Sequence, residues 1–325
     1  MYPVVTTDDQ HGPLLLRAAT FDDAQSLAEL LDECTQQYLE RASSLEDALS
    51  RLGMGDPALD SRIALDSNAN ARGFGHVWKA SPDEARGFIR VRPSARGRGV
   101  GSTLLSWLEG RVGELARELD PGAELTLTSW AQDTQGPPLL ERAGFAPVRH
   151  FLQMRVDLPR SSSPRVAWPD GVTVRALEPG KDDAALFAAF REAFTGHWGD
   201  IEVSEADWWH ENRDAPNAGF DPSLWFVAVA DGAIAGFSLC REQEVDGEAT
   251  GWVSLLAVPP SWRGHGLGTA LLLHSLDSFE ARGYRRAALN VDVDNATGAL
   301  RLYEKTGMSP IPAFTIWSKA LAGDP

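Results

Sequence analysis

Val258-Pro-Pro-Ser-Trp-Arg-Gly-His-Gly-Leu-Gly268-Thr269 is the stretch on which the reading of this chain turns. An apolar strand, Trp252–Val258, runs into it. An apolar-periodic stretch, Thr269–Arg282, leaves it with Leu272, Leu276 and Phe279 at helical spacing. Glycines at 264, 266 and 268 let successive backbone N–H groups converge with no Cβ in the way. They stand at a helix N-terminus, whose unpaired donors and dipole favour an anion. The stretch therefore reads as a cradle for a pyrophosphate. No Gly-Lys-Ser/Thr follows, which excludes a Walker loop. The glycine spacing, and the lack of an acid ~20 residues further on, exclude the dinucleotide fingerprint.

Outward from this turn, the pattern proves to be written twice. Arg96–Gly101 (RGRGVG) matches Arg263–Gly268 (RGHGLG), and Leu139–Phe145 (LLERAGF) matches Leu302–Met308 (LYEKTGM). Leu14–Ala24 and Val172–Ala184 share a strand ending in Arg-Ala and a turn with Asp-Asp before an apolar-periodic stretch. Three cues in one order mark an internal duplication. The Ser/Pro/Arg-rich stretch between the copies reads as a linker. The expected division is 1–159, a linker at 160–170, and 171–325. In the second copy Leu224–Ala230 and Ala233–Cys240 read as strands meeting at Asp231-Gly232, a hairpin signal. Ala287–Val293 reads as a strand, Thr297–Thr306 as a helix ended by Gly307, and Ala313–Lys319 as a last strand. The fold class is α/β, a mixed α+β sheet in two tandem domains rather than a doubly wound sheet.

Arg263-Gly-His-Gly-Leu-Gly268 resembles the R/Q-x-x-G-x-G/A motif of the GNAT (GCN5-related) N-acetyltransferase superfamily. Asn290–Met308 resembles its second signature: a strand, an Asn, and a helix bearing Tyr-Glu-x-x-Gly-Phe. The likeness covers nearly all of the second half and, more weakly, the first. Among tandem members the chain is similar to mycothiol synthase-like acetyltransferases. The resemblance implies a twisted, partly splayed sheet flanked by helices in each half. Acetyl-CoA, as co-substrate, would insert between the splayed strands.

The roles it implies follow residue by residue. Leu256, Ala257 and Val258 present backbone groups to the pantetheine arm. Arg263, Gly264, His265, Gly266, Leu267, Gly268 and Thr269 hold the pyrophosphate, mostly through main chain. Asn295 contacts the cofactor arm, serves as a helix N-cap, or does both. Tyr303 is the general acid that protonates the departing thiolate, a task suited to a phenol neutral at pH 7. In the first copy Arg96, Gly97, Gly99 and Gly101 keep the turn, but Leu140 stands at the tyrosine position and Gln132 at that of Asn295. Pro137-Pro138 is expected to disturb the helix that follows. The first half is thus expected to be catalytically silent and the second to hold the active site.

The general base is less plain. Much of the superfamily has a Glu six residues before the strand's final valine, and here that residue is Trp252. The mycothiol synthase-like branch carries an acid in this strand too, so Trp252 counts against that identity but not against acetylation, since the family commonly relays a proton through water to another acid. Asp292 and Glu248 rank first as bases, ahead of Glu244 and His197. Trp208 and Trp209, on a short helix opened by Ser204, would suit a cationic amine through cation–π contact, or simply pack a core.

Composition supports this frame. The chain has 325 residues, enough for two domains, and 43% hydrophobic residues, enough to fill two cores. A net charge of −16 argues against a nucleic-acid partner and fits steering of a cationic amine. No apolar run approaches the ~20 residues of a membrane span, and Met1–Gln10 does not read as a secretory signal. Cys34 and Cys240 read as free thiols in a reducing cytoplasm, with no metal-site spacing. The expectation is a cytoplasmic, monomeric enzyme whose halves pack as an internal pseudo-dimer. It acetylates a primary amine of a small molecule by direct attack in a ternary complex. The alternatives are a peptide or protein N-terminal acetyltransferase, and a non-catalytic CoA-binding sensor.

Overall fold

The computed structural model describes residues 4–5, 14–35, 44–53, 55–115, 119–120, 122–130, 132–160, 166–195, 203–215, 218–245, 247–294 and 298–321. The chain forms two compact units, Met1–His150 with Phe314–Pro325, and Phe151–Ala313. In order, the elements are β1 (Val4–Val5), β2 (Leu14–Ala18), α1 (Ala24–Thr35), α2 (Leu45–Leu52), α3 (Pro57–Asp60), β3 (Ser61–Leu65), β4 (Ala71–Ser81) and β5 (Glu84–Val91). There follow α4 (Val100–Leu115), β6 (Glu124–Trp130), α5 (Gly136–Arg142), β7 (Ala146–Asp157), β8 (Thr173–Ala176), α6 (Asp183–Phe194) and α7 (Glu205–Trp209). The chain ends with β9 (Trp225–Ala230), β10 (Ala233–Val245), β11 (Glu248–Ala257), α8 (Leu267–Ala281), β12 (Arg286–Asp292), α9 (Ala299–Lys305) and β13 (Ser309–Ala320).

In the first unit β1 to β6 lie in sequence order, antiparallel except for the parallel β5–β6 pair, and residues 314–320 of β13 pair antiparallel with β6. In the second unit the order is β7-β12-β11-β10-β9-β8, with β11–β12 the parallel pair. The strand before the linker thus belongs to the second unit's sheet from Phe151 onward, and the last strand ends on the first unit's. The mixed α/β character read from the sequence holds in both units. Asp231 and Gly232 both take positive φ, 49° and 78°, the geometry of the Asp-Gly hairpin turn. β10 and β11 are longer than their apolar runs. Arg241–Val245 pairs with Glu248–Trp252, so polar residues extend the ribbon where one face is open.

Helices cover both faces of the second sheet. α8 and α9 bury Leu272, Leu276, Phe279 and Tyr303 against Met154, Val253 and Leu289. α6 and α7 bury Leu186, Trp208 and Trp209 against Phe237 and Leu239. Gly251 permits the first of these packings, because a Cβ there would come within 2.4 Å of the Phe279 ring. Pro137 and Pro138 do not disturb α5. They occupy its first turn, where no intrahelical N–H is needed.

The repeated Arg-Ala…Asp-Asp cue turns out to be one device built twice. Arg17 donates from both terminal nitrogens to Asp23, at 2.7 and 2.6 Å, and Arg175 does so to Asp182, at 2.5 and 2.8 Å. Each clamp ties the opening strand to the entry of the first helix. The Arg175 guanidinium holds Asp182 below the ordinary carboxylate range. Burial alone would raise Asp23, but bonds from Arg17 and Thr20 outweigh it and its pKa also falls. An acid depressed in the folded state lends stability that is whole above its unfolded pKa, 3.8, and lost as pH falls through the folded value. Thermal melts should therefore give an Asp182→Asn variant ~2 kcal/mol less stable than wild type at pH 7, with the gap closing below about pH 4. A gap unchanged at pH 3 would mean that the clamp contributes through shape alone.

Candidate active site

The site starts where the parallel strands part. β11 and β12 pair at Gly251–Ala287 and Trp252–Ala288. Beyond these pairs both strands run on, to Ala257 and Asp292, without further pairing among the described residues. Backbone groups of Val253–Ala257 on one strand and Leu289–Asp292 on the other thus line a cleft. A bulge at Ser254 opens it: the register of β10 with β11 shifts between Leu239 and Cys240, and Ser254 is exposed between buried Val253 and half-buried Leu255. The first unit repeats the design. β5 and β6 pair only over Glu84–Arg86 and Glu124–Thr126, and then diverge.

The glycine turn closes the cleft's end. Gly264 and Gly266 take positive φ, 82° and 80°, and added Cβ atoms at either would meet nothing within 4 Å. They leave an open concavity at the start of α8, whose N-cap, Gly266, brings no side chain to the unpaired N–H groups. Gly268 has a different task. A Cβ there would stand 3.2 Å from Leu302 and 3.7 Å from Val258, so this glycine lets α8 approach α9 and the end of β11. The first copy reproduces these contacts, with Gly101 at 3.2 Å from Leu139 and 3.7 Å from Val91, with Gly97 open, and with Gly97 and Gly99 both at positive φ. The arginine that opens each turn is a brace. Arg263 Nε donates to the Val258 carbonyl at 2.9 Å, and Nη2 donates to that of Ala193 at 2.9 Å. Arg96 Nε donates to the Val91 carbonyl at 3.3 Å. His265 is exposed, Leu267 is buried, and Thr269 is half-buried in the first turn of α8.

Tyr303 lies on α9 in the cluster that holds Leu289 and Val291, 8% exposed, and burial pushes its phenol up to about 12. Val291 and Asp292 point to opposite faces of β12, so Asp292 faces away from Tyr303, across the cleft. Asp292 ends β12 four residues beyond Ala288, the last residue paired with β11, and so lies on the parted end of its strand, opposite the unpaired end of β11. Asp292 Oδ1 accepts from the Asp294 N–H at 3.0 Å. Glu248 is not brought to this place. It begins β11, eight residues from Leu256, which at the strand rise is about 26 Å. Glu244 is exposed on β10 beside Ala249. Asn295 and His197 lie outside the described residues. Leu140 is buried on α5, where it occupies a packed position like that of Tyr303.

Two further placements correct or extend the sequence reading. Trp208 and Trp209 are 3% and 6% exposed and contact each other, Phe187, Phe190 and Trp225. The Trp209 ring is already covered by Arg213 at 4.4 Å, so these tryptophans are core and do not line a pocket for a cation. The first unit's divergent strands enclose a cavity of about 490 Å³, lined by Ile89, Val91, Gly97, Gly99, Thr128 and Leu140 among others. No local signal announces a cavity, which forms only when β5 and β6 diverge.

Residues 184–308 match the model of the acetyltransferase (GNAT) family. A mycothiol acetyltransferase of Thermomonospora curvata is 34% identical over 304 residues, spanning 90% of this chain and 94% of its own. A GCN5-related N-acetyltransferase of Sphaerobacter thermophilus has a crystal structure with TM-score 0.77, 27% identity and 98% coverage of both chains. A tandem GNAT protein from the clavulanic acid biosynthesis pathway shares the fold, with TM-score 0.70 and 20% identity over 96% of this chain and 100% of its own.

Proposed function

This chain belongs to the GNAT acetyltransferase family, and from that premise we propose that its second half transfers the acetyl group of acetyl-CoA to a primary amine of a small molecule. The observation that carries this reading is the parting of β11 and β12, with an uncapped glycine turn at one end and Tyr303 and Asp292 on opposite sides. Acetyl-CoA supplies an activated thioester. Backbone groups of Leu256, Ala257 and Val258, left without a β12 partner, would hold its arm. The N–H groups of Gly264 to Thr269 would take the pyrophosphate, with Arg263 bracing the turn. A backbone N–H aimed at the carbonyl oxygen would stabilise the charge that develops there, worth ~3 kcal/mol.

Transfer is by direct attack in a ternary complex. The amine reaches the carbonyl carbon from the Asp292 face and the C–N bond forms. The C–S bond then breaks, with the sulfur on the Tyr303 side. Asp292 takes the ammonium proton, directly or through one water, and Tyr303 gives its proton to the thiolate. Asp292 is preferred over Glu248 because it lies on the parted end of its strand, whereas Glu248 lies on the other side of the paired residues Gly251 and Trp252. The first half's cavity would hold a second acetyl-CoA through Gly97, Gly99, Gly101 and the Arg96-braced turn, with Leu140 unable to supply a proton. A small-molecule acceptor follows the kinship with relatives named for mycothiol.

A free-thiol release assay with acetyl-CoA and a panel of small amines tests the reading. At least one amine should give thiol release that saturates in both substrates, with lines that intersect in a double-reciprocal plot. Parallel lines would overturn direct attack in favour of an acetylated enzyme.

A further inference from the structure

The cleft of the second unit carries one residue that has no equivalent in the first. In the first unit β4 pairs with β5 in unbroken register through Val77–Gly87, His76–Phe88 and Gly75–Ile89. In the second, β10 pairs with β11 as Cys240–Val253 and then as Leu239–Leu255, which leaves Ser254 over. Packing confirms the match. Val253 sits in the cluster of α8, and an added Cβ at Gly87 would meet Leu108 of α4. Leu255 and Phe88 pack on the opposite faces of their sheets, against the clusters of α6 with α7 and of α1 with α2. The offset between the copies is therefore 253 − 87 = 166 before Ser254 and 255 − 88 = 167 after it. Ser254 is an insertion, exposed, and part of neither cluster.

Its place is the fork where the parallel strands separate. Ser254 stands two residues past Trp252, the last residue of β11 paired with β12, and Asn290 stands two residues past Ala288, its partner. Asn290 is exposed between buried Leu289 and Val291, which face α8 and α9, so it shares the other face with Asp292. Among the described residues neither the Ser254 hydroxyl nor the Asn290 amide makes a hydrogen bond. The corresponding position in the first unit already borders a ligand-sized space. Thr128, two residues past the last paired residue of β6, Thr126, lines the cavity there. The glycine turn lies beyond the other end of the parted β11, so an arm held there by its pyrophosphate has its thioester toward the fork.

We infer that Ser254 and Asn290 hold the attacking nitrogen on its line of approach and select a primary amine over a secondary one; this rests on the acetyltransferase reading above. A neutral primary amine has one lone pair and two N–H bonds. Once Asp292 has taken the ammonium proton, Ser254 Oγ from β11 and Asn290 Oδ1 from β12 accept one N–H each. The lone pair is then aimed at the carbonyl carbon between the strands. Both side chains are neutral, so neither favours the charged, unreactive ammonium as a second carboxylate would. Both bonds strengthen as the nitrogen gains positive charge during attack, so they act on kcat. A secondary amine brings a single N–H and sets its alkyl group against the other oxygen, which is left unpaired. The first unit, without the insertion, lacks one of the two oxygens as well as the acid.

Thiol release from acetyl-CoA tests the inference with glucosamine, glycinamide, ethanolamine and any further amine active in the panel above, each against its N-methyl derivative. Wild type should favour the primary member of a pair by about 10-fold or more in kcat/KM. Ser254→Ala and Asn290→Ala should each lower kcat for the primary amine by about 10-fold and slow the N-methyl amine less, so that the preference shrinks. Calorimetric Kd for acetyl-CoA should stay within ~2-fold and melting should not change, since both side chains are exposed. Ser254→Thr, which keeps the hydroxyl, should keep most of the preference. A wild-type ratio near one, or equal losses on both members of a pair, would overturn the inference. So would a ratio that falls only because the N-methyl amine speeds up, which would show that the side chains act by bulk. In each of these cases the acetyltransferase stands. Release of thiol by no amine, primary or secondary, would instead sink the acetyltransferase reading, and this inference with it.

Discussion

Tyr303→Phe is expected to lower kcat by about 10²–10³-fold while the calorimetric Kd for acetyl-CoA stays within ~2-fold of wild type. The split follows from where the residue stands. The ring belongs to the cluster with Leu289, Val291 and Met308, and phenylalanine keeps those contacts, so the cleft and the turn that bind the co-substrate keep their shape. What is lost is one proton donor on the side where the sulfur leaves. Burial holds the phenol at about 12, so it stays protonated across any practical assay range and should add no limb of its own to the pH–rate profile. Leu140→Phe at the equivalent position of the first unit changes one apolar side chain for another and should leave turnover unaltered. Wild-type turnover by Tyr303→Phe would remove the phenol from the mechanism and leave protonation to solvent.

Much of this was legible in the chain because it is local. The Arg-Gly-x-Gly-x-Gly turn announces itself through glycine at positions 264 and 266, where positive φ makes another residue costly. The Asp-Gly hairpin did so for the same reason. The duplication was visible as paired cues, and the structure gives one of them a physical cause, the Arg–Asp clamps of Arg17–Asp23 and Arg175–Asp182. What the chain concealed is non-local. Nothing in the alternation of Ala146–Asp157 says that its second half pairs with Arg286–Asp292, since a strand's partner is set by the whole sheet. Arg241, Trp252, Ala288 and Arg155 lie side by side across β10, β11, β12 and β7, a row that exists only once four strands are in register. Glu248 illustrates the opposite error. Residue type and nearness in sequence recommended it, and strand length, about 3.3 Å per residue, takes it away from the cleft.

Gly268→Asp and Gly101→Asp should separate the two halves most cleanly, because one substitution is made in two nearly superimposable settings. At both positions the new Cβ meets the end of a leucine side chain at 3.2 Å and a valine at 3.7 Å, a crowding that a leucine rotamer relieves, and neither glycine has positive φ. A carboxylate in the first turn of a helix is favoured by the dipole, so the fold itself should hold, with melting within a few degrees of wild type. The same carboxylate places a negative charge where a pyrophosphate would be received, in the open concavity of Gly264 and Gly266 or in the cavity lined by Gly97 and Gly99. Loss of affinity should be ~100-fold or more at the altered site, about 2.7 kcal/mol. Titration calorimetry on wild type should then show two acetyl-CoA sites per chain, and one in each variant. Turnover should vanish in Gly268→Asp and persist in Gly101→Asp, since Leu140 gives the first site no acid. If turnover follows Gly101 instead, the chemistry belongs to the first half, and Tyr303 is a core residue whose hydroxyl is incidental. A single site in wild type, lost with Gly268→Asp and kept with Gly101→Asp, would leave the first cavity without a co-substrate role and the catalytic assignment intact.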